Sequence, residues 1–209
     1  MHYLFYDCET GGTDPHQHSI LTAYFAIYND KFEKLDELEL YFKPNEGEIK
    51  YVQEALDVTG IDLKLHLSDP RTVTCDQGKE ILLSFLTKHK IKGKRRHFRP
   101  CGQNIKFDEN FIMTQVVPEE EWRKLVHYRE LDTLSILTFL QDLEFLPKDL
   151  GNLESQVEYF NIPKGRAHDA KEDIRMTVDV YRAYRKLLED KKDNISGVLT
   201  NNLLSIVER

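Results

Sequence analysis

Residues 3–8 form a nearly continuous apolar run closed by Thr10, Gly11 and Gly12. Such a run predicts a strand buried on both faces and ended by a turn. Ile20–Tyr28 and residues 37–42 read as two further strands, with Asn29 and Asp30 as the punctuation between them, so the chain opens as a three-stranded meander. Beyond it the apolar positions take up helical spacing, which predicts helices over 51–58, 75–89, 105–116, 133–143, 150–160 and 170–189. Residues 97–102 and 126–131 are short enough to be strands. Strands alternating with helices predict an α/β fold: a mixed sheet, made of the meander and two further strands, flanked by helices.

Length and composition narrow the class. The 209 residues are 40% hydrophobic and 31% charged, with 10 Gly and 7 Pro, the make-up of a globular protein and not of a disordered, collagen-like or disulfide-framework chain. We read one domain over 1–190 and a tail over 191–209. In the tail Asn194 and Gly197 act as breakers before a short amphipathic helix bearing Leu199, Leu203, Ile206 and Val207, a stripe that docks either on its own domain or on a protein partner. No apolar run approaches the roughly 20 residues of a membrane span. Asp7 falls where a secretory signal stays uncharged, so an intracellular place, cytoplasmic or nuclear, is expected. Cys8, Cys75 and Cys101 form neither an even set nor a CxxC pair and read as buried thiols. The net charge of −7 has the wrong sign for holding nucleic acid by bulk electrostatics. A polyanion would have to be met by a local basic patch or by metal ions.

Three places carry unexpected acids. Asp7 and Glu9 leave the first strand on one face, Tyr6 and Cys8 on the other. Two desolvated carboxylates raise each other's pKa, so either a divalent cation neutralises them or the strand end reaches solvent. In the second segment Asn104 suits an N-cap, which sets Asp108 one turn into a helix beside Phe111 and Ile112, on the apolar side, and turns Glu109 away from it. An acid there is also favoured by the helix dipole alone. In the third, Asp169 and Glu172 resemble a capping box, so His168 precedes the cap and Asp173 occupies the fourth helical position. Those two positions normally touch, and an imidazole beside a carboxylate suits proton transfer. An ordinary acidic first turn after a surface histidine has the same spelling. All three segments fall at element boundaries, and in an α/β sheet strand ends and helix starts gather at one edge.

Taken in order, Asp7-Cys8-Glu9-Thr10-Gly11, Asn104-Ile105-Lys106-Phe107-Asp108 and His168-Asp169-Ala170-Lys171-Glu172-Asp173 resemble the three exonuclease motifs of the DEDD superfamily, in its histidine-bearing, DnaQ-like branch. That branch includes proofreading exonuclease subunits, ribonuclease T and oligoribonuclease. The likeness runs over about residues 1–190, and 131–134 and 150–153 also fall where such proteins have similar segments.

The resemblance implies a ribonuclease-H-like fold and removal of nucleotides from the 3′ end of single-stranded DNA or RNA as nucleoside 5′-monophosphates, with two Mg²⁺ or Mn²⁺ ions. It implies that Asp7 bridges the metals, that Glu9 and Asp173 complete one site, that Asp108 supports the other, and that His168 deprotonates the attacking water. Thr10, Gly11, Gly12, Asn104 and Phe107 would contact substrate. The chain departs from the family in two places. Thr13 replaces a bulky apolar residue that wedges against the terminal base, and Gln103 replaces a His before the Asn. The basic segment 88–99 is either a solvated face or an auxiliary contact to a longer substrate or a partner. Two rivals are a catalytically inactive nucleic-acid-binding or interaction module of the same fold, and a ribonuclease-H-like endonuclease or strand transferase. The intact acids and His168 count against the first, and the 168-to-173 spacing against the second.

Overall fold

The computed structural model describes residues 1–165 and 169–207, of which 191–207 are described as helical backbone. Among them the sheet has six strands in the order β4-β3-β2-β1-β5-β6. β1 (His2–Thr10), β2 (Ile20–Tyr28) and β3 (Lys34–Lys43) are the antiparallel meander. β4 (Thr72–Thr74) runs parallel to β3, β5 (Phe98–Gly102) parallel to β1, and β6 (Leu131–Asp132) parallel to β5. The mixed α/β sheet that the sequence predicts is therefore present, with one strand more.

The alternation along β1 decides which residues meet. Leu4, Tyr6 and Cys8 enter a core with Phe25, Phe42, Leu82, Phe111 and Trp122. Phe5 and Tyr3 enter the opposite core, with Tyr24, Tyr28, Phe32, Ile174 and Val178. Asp7 and Glu9 continue the Tyr3–Phe5 side. That is the side covered by the long C-terminal helix.

The helices are α1 (Gln53–Thr59), α2 (Leu63–Ser68), α3 (Cys75–Lys88), α4 (Ile105–Phe111), α5 (Glu119–Leu125), α6 (Thr133–Asp142), α7 (Leu153–Tyr159) and α8 (Ala170–Val207). Thr74 starts α3 with a capping box shared with Gln77, and Asn152 starts α7 by accepting from the Ser155 amide. A third cluster, including Leu137, Leu140, Val157, Met176, Val180 and Tyr184, ties α6 and α7 to α8. All three cysteines are buried free thiols.

Several boundaries differ from the sequence pattern. β4 has three residues and α2 six, too few for any period to show. The predicted helix 105–116 gives way after Phe111 to a π-helical turn, Ile112–Val116. The predicted strand 126–131 is reduced to a bridge from Val126 to Phe98 and the two-residue β6, with a bend between. α8 runs through Asn194 and Gly197 without the expected break, because a helix already anchored by its first turns tolerates a single Gly at about 1 kcal/mol. The stripe Leu199, Leu203, Ile206 and Val207 lies outside the described side chains. Among the described residues no helix is long and apolar enough to cross a membrane.

One correction concerns a charge. Glu109 does not turn away from the core: it is 0% exposed. α5 lays Arg123 and Trp122 over it, with Arg123 Nη1 and Nη2 donating to its two oxygens at 2.6 and 2.7 Å and Trp122 Nε1 at 3.1 Å. A buried carboxylate is tolerated here because a bidentate guanidinium meets it. Arg123→Ala should therefore lower unfolding free energy by about 2–3 kcal/mol, since it leaves the buried Glu109 charge with only the Trp122 indole and the half-exposed Lys106, whose Nζ donates to Oε2 at 3.0 Å. Urea denaturation checks this, and a loss near zero would show that the pair does not hold α4 to α5.

Candidate active site

The C-terminal half of β1, the head of α4 and the first turn of α8 converge at one edge of the sheet. Asp7 and Glu9 are half-buried on the α8 side of β1. The start of α8 is fixed by Asp169, whose Oδ1 accepts from the amides of Lys171 and Glu172 at 3.2 and 3.3 Å and whose carbonyl accepts from the Asp173 amide at 2.9 Å. Only half of the expected capping box forms, because the Glu172 carboxylate binds Arg175 Nε at 2.9 Å. One turn in, Asp173 faces the strand. Carboxylate oxygens of Asp7, Glu9 and Asp173 lie within 4.8 Å of one another.

Asp108 comes from α4. It is 3% exposed, and its Oδ1 accepts from the Cys8 amide at 2.9 Å, so the helix is stitched to β1 between the two strand acids. Asp7, Glu9, Asp108 and Asp173 line one cleft with Cys8, Gln103, Asn104 and Phe107. Burial, and then the neighbouring carboxylates, raise the pKa of Asp7; burial raises that of Asp108 against the opposing pull of the Cys8 amide. Glu9 is pushed up to about 7 by burial and by Asp173 and Asp169. Among the described residues no Lys or Arg forms a salt bridge with Asp7, Glu9 or Asp108. A set of hard carboxylate oxygens lying close together is the donor chemistry that Mg²⁺ or Mn²⁺ takes.

The other predicted residues are placed as follows. Asn104 stands at the head of α4 but does not cap it: its backbone is left-handed (φ 55°) and its side chain makes no cap bond. Its amide N–H instead donates to Asp132 Oδ1 at 2.8 Å, and the same carboxylate oxygen accepts from the Leu134 amide to start α6. This leaves the exposed Asn104 side chain at the cleft mouth. Thr10 Oγ1 donates to the Gly12 carbonyl at 2.7 Å, and Gly11 bonds Ser19 and Val52 through its backbone. A Cβ on Gly11 would come within 2.4 Å of the Lys50 carbonyl, so only glycine admits segment 50–52 so closely. Phe107 lies between the cleft and an adjoining groove lined by Thr13, Val52, Ala55 and Val58. His168, with Arg166 and Ala167, lies outside the described residues.

Two polar residues escaped the sequence reading as site groups. Asp132 joins two helix starts, as described. Gln103 is held by a chain in which Tyr184 Oη donates to Gln156 Oε1 at 2.6 Å and Gln156 Nε2 donates to Gln103 Oε1 at 3.5 Å, while the Thr133 hydroxyl beside it donates to the Gly102 carbonyl at 3.2 Å. With its oxygen so used, Gln103 keeps its NH₂ group as donor.

The six-stranded mixed sheet flanked by helices is a ribonuclease-H-like α/β fold, shared with the solved structures below. No family model matches the sequence, and no curated protein does. Among solved structures the chain is similar to Escherichia coli exonuclease I in complex with a dT13 oligonucleotide, with a TM-score of 0.70 and 18% identity over 92% of this chain and 43% of that one. The zinc-bound form of the E. coli exonuclease I complex with single-stranded DNA gives 0.71 and 20% over 96% and 43%. Exonuclease I from Methylocaldum szegediense, a moderately thermophilic enzyme, gives 0.66 and 22% over 88% and 40%. The chain thus spans less than half the length of these proteins.

The raised carboxylates set a stability test. Between the ordinary value of 4.5 and about 7, folded Glu9 holds a proton that the unfolded chain releases, so metal-free stability should fall as pH rises through that window. A divalent ion binds the ionised cluster, so Mg²⁺ or Mn²⁺ should raise Tm more at pH 8 than at pH 5. Thermal melts with a chelator and with metal check both. A Tm indifferent to metal at pH 8 would refute the cation site.

Proposed function

We propose that this chain is a metal-dependent 3′-to-5′ exonuclease of the DnaQ-like, histidine-bearing type, acting on single-stranded nucleic acid and releasing nucleoside 5′-monophosphates. The observation that carries the reading is the convergence of Asp7, Glu9 and Asp173 within 4.8 Å, with Asp108 stitched in beside them, at the end of the central strand. Structural neighbours seen with DNA oligonucleotides support single-stranded DNA as the substrate to try first, with RNA beside it.

In this reading Asp7, Glu9 and Asp173 hold one divalent ion, and Asp7 with Asp108 the second. Two such ions, when bound, stabilise the attacking and leaving oxygens of an in-line displacement at phosphorus. His168 precedes the cap of α8, close in sequence to Asp173, and accepts the proton of the attacking water. Gln103, its NH₂ free to donate, and Asn104 orient the terminal nucleotide from the α4 side. The base lies in the groove beside Glu9. There Val58 of α1, 57% exposed, supplies the apolar contact that Thr13 is too small and polar to make.

End-labelled single-stranded DNA, single-stranded RNA and duplexes, digested with Mg²⁺ and with a chelator, test the reading. We expect metal-dependent shortening from the 3′ end and no cleavage of circular strands. Asp7→Ala should lose turnover while melting at or above the wild-type temperature, because it removes a like charge from the cluster. His168→Ala should slow single-turnover cleavage by about 100-fold to 10,000-fold with metal binding intact. Chelator-resistant activity, or wild-type rates in Asp7→Ala, would refute the assignment.

A further inference from the structure

From Lys88 to Arg99 every charged residue is a cation. The fold joins the end of this segment to the bend before β6. Tyr128 in that bend is 54% exposed, with the Arg96 and Arg129 guanidinium carbons 5.5 and 5.6 Å from its ring centroid. His127 stacks on it, centroid to centroid 4.6 Å at 26°. Burial, then the charges of Arg96, Arg129, Arg99 and Arg123, hold the His127 pKa below its ordinary value, which places four guanidiniums around one imidazole. Arg123 is balanced by Glu109 and Glu119. Among the described residues Arg96, Arg99 and Arg129 form no salt bridge, whereas Arg71, Arg175 and Arg182 each do. Uncompensated positive charge is thus concentrated around one exposed aromatic ring in a chain of net charge −7.

Its position relates it to the cleft. The His127 amide donates to the Phe98 carbonyl at 2.8 Å, at the first residue of β5. At the last residue of β5, Gly102 pairs with Asp132, which in turn accepts from the Asn104 amide. Cluster and cleft therefore occupy the two ends of the same short edge of the sheet. The four steps from Phe98 to Gly102 span about 13 Å.

We propose that the Arg96–Tyr128–Arg129 cluster is a second binding site for single-stranded nucleic acid, outside the catalytic cleft. A base stacks on Tyr128, and the neighbouring phosphates bind the guanidiniums of Arg96 and Arg129. The exposed aromatic ring favours this ligand over an acidic peptide, which would use the guanidiniums and leave the ring idle. Bases stack on aromatic rings without regard to sequence, and guanidiniums match phosphate geometry. That the strand bound here is the 5′ continuation of the one in the cleft rests on the exonuclease reading; that the cluster binds a strand does not.

The test is fluorescence anisotropy of labelled single strands of about four and about sixteen nucleotides, in chelator so that nothing is cleaved. We expect wild-type protein to bind the longer strand more tightly. Tyr128→Ala should weaken that binding about tenfold and Tyr128→Phe should restore it. Each of Arg96→Gln and Arg129→Gln should reduce the slope of log K against log salt by about 0.7. Trimming of the short strand in Mg²⁺ should match wild type in all four variants. Unchanged binding of the longer strand in Tyr128→Ala, Arg96→Gln and Arg129→Gln, or a loss of short-strand trimming equal to the loss of long-strand binding, overturns the proposal. So does an acidic peptide whose binding the variants abolish while strand binding stays intact. Should wild-type protein trim neither strand in Mg²⁺, the exonuclease reading fails, and the anisotropy still decides the second site.

Discussion

Mutual repulsion of the acids at the end of β1 is the constraint around which the fold is organised. At an effective dielectric constant of 20, two like charges about 4 Å apart repel by about 4 kcal/mol. Burial of Ile174 and Val178 against the Phe5 side of β1 contributes about 1.5–3 kcal/mol for each side chain. Packing on that scale can hold α8 against one ionised pair, but not against a fully ionised cluster. The remainder has to be met by protons, which the raised pKa values of Asp7, Glu9 and Asp108 express, or by a cation. The site is built so that its natural complement is a small ion of high charge.

Asp108 and Glu109 make the same point as neighbours. Both are buried on one short helix, and they have opposite surroundings. Glu109 takes a bidentate guanidinium, an indole N–H and the Lys106 ammonium, which fix its charge. Asp108 accepts from the Cys8 amide and lines the cleft with Asp7, Glu9 and Asp173. Removing Glu109 from chemistry is what lets α4 present a single reactive carboxylate. The Arg123 pair therefore supports the site without touching it.

Much of this was legible in the sequence because it depends on period and order. Alternation along β1 put Asp7 and Glu9 on one face before any contact was known, and the apolar run of β2 and the helical spacing of α3, α6 and α8 survived folding. Asp169 reads as a cap and is one. What could not be read depends on contacts between distant segments. Glu109 looks solvent-facing until Arg123 arrives from α5, whose three leading glutamates hide its two buried residues, Trp122 and Leu125. Asn104 has the composition of a cap, yet its left-handed backbone leaves that task undone and hands its amide to Asp132. Gln103 resembles a plain polar substitution until Gln156, itself held by Tyr184, donates to its oxygen. Short elements such as β4 and α2 have too few residues for any period.

The charge distribution also orders events at the site. On the proposed reading, an approaching phosphate would meet four carboxylates, so a metal-free cleft would repel the substrate that the metal-loaded cleft accepts. Around the other end of the β5–β6 edge the sign reverses. The separation of about 13 Å between these ends exceeds the Debye length of about 8 Å at physiological ionic strength, so the acids of the cleft are largely screened from a strand held at Arg96 and Arg129. On the proposed reading, a strand would be captured at the basic end whatever the state of the cleft, while entry of its 3′ end would wait on the ions. A protein of net charge −7 would thereby handle a polyanion without being basic overall: the cation would supply the charge where chemistry occurs, and guanidiniums would supply it one edge away.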